Sequence, residues 1–255
     1  ERGTLVYSKI KSKEASEKIV YNTLTVPVRE RFQLVLADGT KVFLNSGSEM
    51  RYPERFGKAR REVFLKGEAW FEVAKDSARE FWVHAGAMDV KVLGTSFNVK
   101  AYERLETVAT TLVEGSVEVA CAGKSFQIVP GEQFVYDKNN RVMDVRMVDT
   151  ESYVSWKDGY YKFRQTTLEE IMETLSVWYG LNVFYVNESA KQVEFTGKVR
   201  RYEDARMLLD KFEQTGDVVF DIKGNNVFIT IKQKKPFARE WNSFLVKARG
   251  MVWQS

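Results

Sequence analysis

Cysteine, histidine and proline are scarce in this chain of 255 residues, which contains one cysteine, one histidine and four prolines. Because Cys121 is the only cysteine, the chain cannot form an internal disulfide, and the redox compartment stays undecided. Because His84 is the only histidine, sites that need two histidines are excluded, and a Ser–His or Cys–His dyad would depend on this one residue. No apolar run approaches the roughly 20 residues of a membrane-spanning helix, and the amino end is not a signal peptide.

The sequence also lacks the common catalytic motifs. It has no glycine-rich phosphate loop, no Gly-x-Ser-x-Gly elbow and no His-Glu-x-x-His motif. The net charge of +4 is small and both signs are interspersed, so nothing indicates binding to nucleic acid. With 44% hydrophobic and 29% charged residues, the composition is that of a globular protein. We therefore expect no enzymatic activity, no cofactor and no catalytic metal, with His84 packed in a strand and Cys121 in the core.

The stretch 63–75 has the clearest strand pattern in the chain. Odd positions carry Val63, Leu65, Ala69, Phe71 and Val73, and charged residues stand at even positions between them. A strand points successive side chains to opposite faces, so this alternation predicts a strand over 63–73 with one buried face and one wetter face. The glycine at position 67 marks a point where a neighbouring backbone approaches closely or the strand bulges.

A β-hairpin is predicted around the sequence Ala37-Asp38-Gly39. A two-residue turn would place Val42 and Leu44 on the face opposite Phe32 and Leu34. A three-residue loop with Gly39 left-handed instead pairs Phe32 with Leu44 and Leu34 with Val42. We prefer the second register because it gathers the aliphatic side chains on one face.

The remainder of residues 20–145 repeats this strand pattern without any helical period. A strand from Val20 to Val26 stops at Pro27, which suits an edge strand. Roughly ten short strands separated by Gly, Asp and Asn turns predict a β-sandwich or a jelly roll. Residues 1–19 are polar and mixed in charge, and we interpret them as a loose lead-in.

After residue 145 the pattern changes to a smaller α+β domain over 153–231. Thr166-x-x-Glu169 predicts a capping box before a helix with apolar residues at helical spacing, and Gly180 can cap its far end. A second copy follows 37 residues later, since the spacing from Ile171 to Leu208 equals that from Leu175 to Phe212. The duplicated β-α-β unit predicts two helices on one sheet, with Gly216 before the last strands. Residues 232–255 form a basic, amphipathic tail that packs on its own domain or serves as a membrane-surface or partner helix.

Two other functional classes stay open from the residues alone. A glycosidase needs two carboxylates paired in a groove, and Glu68, Glu72 and Glu114 are the candidates for that pair. Trp70 and Trp82 would be the exposed aromatic residues of a carbohydrate-binding β-sandwich module. Solvated glutamates are common on strand faces, so we rank both classes below a binding or signalling protein.

Taken in order, several stretches resemble the FecR family of transmembrane anti-sigma factors. The resemblance runs from about residue 20 to 231 and is carried by residues 35–48 (VLADGTKVFLNSGS), 50–53 (MRYP), 67–73 (GEAWFEV), 92–99 (VLGTSFNV), 111–117 (TLVEGSV) and 130–133 (PGEQ). Further matches are Trp156-x-x-Gly159, Phe163, residues 168–171 (LEEI) and Trp178-Tyr179. These residues are suited to turns and packing, so we interpret them as determinants of the fold: Asp38, Gly39, Asn45, Gly67, Glu68, Gly94, Asn98, Gly115 and Gly131.

The resemblance implies the periplasmic sensor region of an anti-sigma factor. Such a region receives a signal from the N-terminal domain of a TonB-dependent outer-membrane transducer. It is tethered by one helix to the inner membrane, and a cytoplasmic segment holds an extracytoplasmic-function (ECF) sigma factor. We expect the helix and that segment to lie outside the sequence given. The duplicated domain resembles the transducer's own signalling domain, so the two would pair sheet to sheet if 193–199 is an edge strand, through Val193, Phe195, Thr196, Gly197 and Val199. If that strand is instead central and its ladder complete, docking falls elsewhere.

Overall fold

A computed structural model describes residues 4–6, 19–201, 204–214 and 217–232. Strands dominate the part before residue 148, and all three α-helices of the described residues follow it. The strands are β1 (Thr4–Val6), β2 (Tyr21–Thr25), β3 (Phe32–Val35), β4 (Lys41–Leu44), β5 (Glu49–Pro53), β6 (Arg61–Glu72), β7 (Phe81–Ala85), β8 (Met88–Val92), β9 (Ser96–Ala101), β10 (Thr107–Glu114), β11 (Val117–Cys121), β12 (Lys124–Ile128), β13 (Glu132–Asp137), β14 (Val142–Met147), β15 (Tyr160–Thr167), β16 (Asn182–Tyr185), β17 (Glu194–Arg200), β18 (Val218–Lys223) and β19 (Asn226–Ile231). The helices are α1 (Thr150–Val154), α2 (Leu168–Tyr179) and α3 (Ala205–Glu213), with short 3₁₀ helices at Ser155–Asp158 and Glu188–Gln192.

Strands β1 to β14 form a continuous 14-stranded sheet that β6 divides into two layers. The front sheet has the strand order β1-β3-β4-β6-β9-β10-β13-β14, and the back sheet has the order β2-β5-β6-β7-β8-β11-β12. The N-terminal half of β6 belongs to the back sheet and its C-terminal half to the front sheet. The predicted β-sandwich is therefore confirmed, with one long strand shared by both layers.

Gly67 stands where β6 passes from one layer to the other. Its φ of 106° lies in a region that favours glycine. A Cβ at this position would lie 2.7 Å from the Cα of Ser48, so the neighbouring backbone approaches as closely as the sequence predicts. Only glycine allows β6 to cross between the layers at this point.

The hairpin of β3 and β4 has the register that we preferred. Phe32 pairs with Leu44 and Leu34 pairs with Val42, across a loop in which Gly39 has a φ of 91°. Asp38 at the tip accepts hydrogen bonds from the backbone N–H and the hydroxyl of Thr40.

The layers enclose one hydrophobic core. Phe71 of the front sheet lies with its ring centroid 6.2 Å from that of Phe81 in the back sheet, and Phe126 and Phe134 meet at 5.0 Å. Cys121 belongs to this core and is 2% exposed, as predicted. Burial raises the pKa of its thiol.

The C-terminal region contains the two predicted β-α-β units, but their strands form two sheets and not one. β15 pairs antiparallel with β17, and β19 lies between β16 and β18. The first strands of the two units, β15 and β17, thus pair with each other. Their second strands, β16 and β18, lie on either side of β19.

The helix α2 begins one residue later than its predicted capping box. The cap is Thr167, whose side chain accepts a hydrogen bond from the backbone N–H of Glu170, so Thr166 and Glu169 do not form the box. Gly180 ends the helix with a φ of 69°, as predicted. The apolar face of α2 is buried, and so are Leu208, Leu209 and Phe212 on α3. Gly216 lies outside the described residues.

The two ends of the chain are described only in part. Thr4–Val6 pair in parallel with β3, so the lead-in is not entirely loose. Residues 233–255 of the tail lie outside the described residues. Within the described residues, no helix combines the length and apolar character needed to span a membrane.

Candidate functional site

Both faces of the C-terminal half of β6 are buried, and this differs from the single buried face that the alternation predicts. Trp70 is 4% exposed and Glu68 is 8% exposed, although both stand at even positions. Trp70 packs in one hydrophobic cluster with Trp156, Leu168 and other residues of the C-terminal region. The second face is therefore covered by the C-terminal region, and the two parts of the chain share a core there.

Glu68 is the centre of a polar cluster at this contact. Its Oε2 accepts a hydrogen bond from Asn45 Nδ2 at 2.6 Å, and its Oε1 accepts one from Asn98 Nδ2 at 2.9 Å. A buried carboxylate is costly unless its oxygens are hydrogen-bonded, and here each oxygen has an amide donor. Asn45 begins the turn directly after β4 and Asn98 lies in β9, so the two amides are held by the strands that flank β6.

The same two amides contact the C-terminal region through their oxygens. Asn45 Oδ1 accepts a hydrogen bond from Arg201 Nη2, and Asn98 Oδ1 accepts one from Trp156 Nε1 at 3.2 Å. Arg201 Nη1 donates to the backbone oxygen of Trp156 at 3.0 Å, so the hydrogen bonds form a closed ring. We call these five residues the polar ring: Asn45, Glu68, Asn98, Trp156 and Arg201. Three come from the sandwich and two from the C-terminal region.

Aromatic side chains surround the guanidinium of Arg201. Its Cζ lies 3.6 Å from the ring centroid of Trp178, 5.4 Å from that of Trp156 and 6.0 Å from that of Tyr161. Such cation–π contacts are strongest where water is excluded, and Arg201 is 0% exposed. Its backbone N–H donates to the oxygen of Gly159, which has a left-handed φ of 90°. The Trp156-x-x-Gly159 and Trp178 motifs thus build the pocket for this arginine.

Further hydrogen bonds join the two parts beside the ring. The hydroxyl of Ser46 donates to the backbone oxygen of Val177 in α2 at 3.2 Å. The hydroxyl of Tyr102 donates to the backbone oxygen of Ser46 at 2.8 Å, and burial holds the pKa of this tyrosine well above its usual value. Burial also raises the pKa of Tyr161. Both phenols are therefore held in their neutral form.

A cleft of about 410 Å³ opens beside the ring, between the outer face of the front sheet and the elements α1, β15 and α2. Lys100 and Glu173 form an ion pair at 3.5 Å across the two parts, and so do Arg146 and Glu170. Within the part of the chain that the structure describes, no three His, Cys, Asp or Glu residues are grouped to hold a metal ion. The cleft is lined by residues of both parts of the chain, and the two ion pairs lie across it.

The residues interpreted as fold determinants divide into two groups. Gly94 and Gly115 leave no room for a side chain, since a Cβ would lie 2.8 Å from Lys75 Cα and 2.9 Å from Thr95 Oγ1 respectively. Gly131 is favoured by its φ of 94°, because the only close atom is the movable end of the exposed Met147 side chain. Asp38, Gly39 and Gly67 form the hairpin tip and the β6 crossing described above. Asn45, Glu68 and Asn98 form a second group that does more than shape turns, because they hold the C-terminal region.

Sequence reasoning missed Arg201 and the roles of Trp156 and Trp178 in the polar ring. Arg201 follows another arginine after a mostly exposed strand, a context typical of solvated charge. One signal was available in the sequence. Trp70 and Glu68 share the strand face that the alternation predicts to be solvent-exposed, and a tryptophan there indicates that another part of the chain packs on this face.

The predicted docking strand is β17, and within the described residues it pairs only with β15. Phe195 is buried against Phe212, and Val193 and Val199 are partly buried in the same cluster. Thr196 and Gly197 are exposed. None of these five residues belongs to the polar ring, but β17 ends at the residue before Arg201.

The other candidate residues lie outside the polar ring. Glu72 and Glu114 both pair with Ser96 of β9 and line one cleft of about 220 Å³. Glu72 accepts a hydrogen bond from Trp70 Nε1 at 3.2 Å, and Glu114 is exposed at the end of β10. Trp70 is buried and Trp82 lies in the back sheet, so the two do not line an exposed groove. His84 Nδ1 lies 2.7 Å from Asp89 Oδ1, and its ring stacks on Phe64.

Two family descriptions match the chain. The description "FecR protein" matches residues 22–118, and "FecR, C-terminal" matches residues 160–229. The chain belongs to the FecR family. FecR proteins are anti-sigma factors, so the family supports a regulatory role. Asn45, Glu68 and Asn98 lie in the first match and Arg201 lies in the second, so the polar ring joins the two FecR regions.

Two solved structures have a fold similar to that of this chain. Two crystal structures from Parabacteroides distasonis ATCC 8503, each of a protein proposed to be an anti-sigma factor, match with a TM-score of 0.75 and 27% identity. The matches cover 83% and 84% of this FecR chain and 100% of the other chain. No curated protein matches it.

Proposed function

We propose that this chain is the periplasmic sensor region of a FecR anti-sigma factor. It relays a signal from a TonB-dependent outer-membrane transducer to an ECF sigma factor, and it acts by binding and not by catalysis. In this proposal a membrane helix and a sigma-binding segment outside residues 1–255 place it on the periplasmic side of the inner membrane. The matching of both FecR regions to one chain carries the proposal.

We further propose that the N-terminal signalling domain of the transducer docks on the edge of β17. The strand has one partner within the described residues, and Glu194, Thr196, Gly197, Lys198 and Arg200 are exposed. The open edge of such a strand presents backbone N–H and C=O groups that an added strand can satisfy. Phe195 packs against Phe212 of α3, which keeps β17 attached to the C-terminal region on the side away from its open edge.

Isothermal titration calorimetry with the full chain tests this proposal. The titrants are the N-terminal signalling domains of the TonB-dependent transducers of the same organism. We expect one domain to bind, and we expect Thr196→Pro to abolish binding because proline removes a backbone donor from the edge strand. The matched control is Val219→Pro in β18, which also has a single strand partner within the described residues. We expect this control to bind like the parent chain.

Circular dichroism and thermal melting establish that each variant folds. If none of the signalling domains binds the parent chain, the transducer relay is wrong. If Thr196→Pro folds and binds with unchanged affinity, the docking surface lies elsewhere, and the helix faces around Glu170 and Arg206 would be examined next.

A further inference from the structure

We infer that Arg201 mechanically couples the edge strand β17 to the polar ring in the β-sandwich. The inference rests on the proposed function, since it gives docking at β17 a route into the rest of the molecule. In this arrangement Arg201 is a positioning residue. It does not touch the transducer domain itself, but it moves with β17, the strand on which that domain docks.

The route is short along the chain. The last pair of the β15–β17 ladder is Tyr160 with Arg200, and the next backbone N–H, that of Arg201, donates to Gly159 at 3.1 Å. From there the side chain enters the ring and reaches Asn45, which lies 156 residues away in sequence. Any shift of the end of β17 therefore displaces a residue whose other end is fixed in the sandwich.

The ladder that holds β17 is irregular, which leaves it room to shift. The register changes between Phe163 and Thr166, and Gln165 at this bulge has a φ of 46°. The hydroxyl of Thr196 accepts a hydrogen bond from the backbone N–H of Gln165 at 2.9 Å. A strand added to the outer edge of β17 would straighten or tighten this two-stranded ladder, because bulges change local twist.

The receiving end of the route is the turn from Asn45 to Ser48, where the side chain of Asn45 connects Arg201 to the turn's backbone. Asn45 Oδ1 accepts both from Arg201 and from the backbone N–H of Ser46, and the backbone oxygen of Asn45 accepts from the N–H of Ser48. Ser48 in turn contacts the β6 crossing at Gly67, since its hydroxyl donates to the oxygen of Glu68 at 3.1 Å. A displaced Arg201 thus changes the turn that sets how the two sheets meet.

Amide hydrogen exchange of the full chain tests the coupling without any partner. The reporters are the backbone N–H groups of residues 45, 46 and 48, which all have hydrogen-bond acceptors in the folded chain. The perturbation is Thr196→Val, which keeps the shape of the side chain and removes the acceptor for Gln165. The control is Thr230→Val in β19, the same change in the other sheet. Both substitutions are measured in the parent chain and in Arg201→Met.

We expect Thr196→Val to speed exchange at the reporters roughly threefold in the parent chain, within the usual range of coupling through contiguous contacts. We expect Thr230→Val to have no effect there, and Thr196→Val to have none when Arg201→Met is present. Equal acceleration with and without Arg201 would show that the coupling takes another route. No acceleration in the parent chain would show that β17 and the turn are independent.

Arg201→Lys provides a second background if Arg201→Met fails to fold. It keeps the charge but cannot bridge Asn45 and Trp156 in the planar, forked geometry of arginine, so the acceleration should again be lost. Because no transducer is used, failure of the titration leaves this result intact. If Thr196→Val accelerates nothing in the parent chain although the transducer domain binds normally, the role of Arg201 is overturned and the proposed function stands.

Discussion

Asn98 and Glu68 form a hydrogen bond whose direction is fixed by a third residue. Asn98 Nδ2 donates to Glu68 Oε1 at 2.9 Å, while Asn98 Oδ1 accepts from Trp156 Nε1. Turning the amide over would set its NH₂ group against the indole N–H and its oxygen against the carboxylate. Asn45 is fixed in the same way between Glu68 and Arg201. The polar ring therefore has one consistent arrangement of donors and acceptors.

The fixed direction of the ring makes Glu68→Gln destabilising although the side chains have the same shape. Glutamine has one acceptor oxygen where two amide donors converge, so one donor is left facing an NH₂ group. We expect the free energy of unfolding to fall by about 1–3 kcal/mol, the cost of leaving a buried polar group unsatisfied. Urea unfolding measures this, and Glu72→Gln on the same strand is the control. Equal losses in both variants would contradict the role of the ring.

The crossing of β6 between the sheets makes Gly67→Ala strongly destabilising. The new methyl group would lie 2.7 Å from Ser48 Cα, and the φ of 106° is unfavourable for any other residue. We expect on the order of 1–3 kcal/mol from the backbone conformation alone, with the clash in addition. Gly197→Ala in β17 is the control, because nothing lies within 4 Å of its Cβ position. A thermal midpoint that falls equally in both variants would argue against this account.

The hairpin tip is held by a buried ion pair, so Asp38→Ala should destabilise the sandwich. Arg61 is fully buried, and its Nη1 lies 2.9 Å from Asp38 Oδ2. Removing the carboxylate leaves a buried charge without its counterion, which costs about 3 kcal/mol. Chemical denaturation compares this variant with Glu103→Ala, which removes an exposed partner of Lys66 and should leave the midpoint unchanged. The account fails if Asp38→Ala also leaves it unchanged.

Cys121 should react slowly with thiol reagents in the folded chain. Burial both blocks access and raises the thiol pKa, so at pH 8 a smaller fraction is thiolate than for a free cysteine. We expect slow reaction with 5,5′-dithiobis(2-nitrobenzoic acid), becoming fast in denaturant. In the double variant Cys121→Ser with Ser125→Cys, the exposed thiol on β12 should react at once. Fast labelling of Cys121 in the folded chain would show that this part of the core opens readily.

Several elements could be predicted because their determinants are local. The register of the β3–β4 hairpin follows from which face gathers Phe32, Leu34, Val42 and Leu44, and the end of α2 follows from Gly180. The strand pattern also predicts the close approach at Gly67, where a glycine interrupts the apolar face. The cap of α2 was misplaced by one residue because Thr166 and Thr167 are both acceptable caps followed by a glutamate three residues later. The division into domains at 145–153 remains a prediction for limited proteolysis.

The sequence by itself determined the strand-rich first part, the helices α2 and α3, the duplicated unit and the family. Only the tertiary structure decided what covers the second face of β6 and where Arg201 goes. The physical reason is that alternation along a strand says which side a residue faces, and does not say whether that side meets water or another part of the chain. Arg201 looks like a solvated charge locally, and it becomes a buried one because Trp156, Trp178 and Asn45 meet around it from distant parts of the chain.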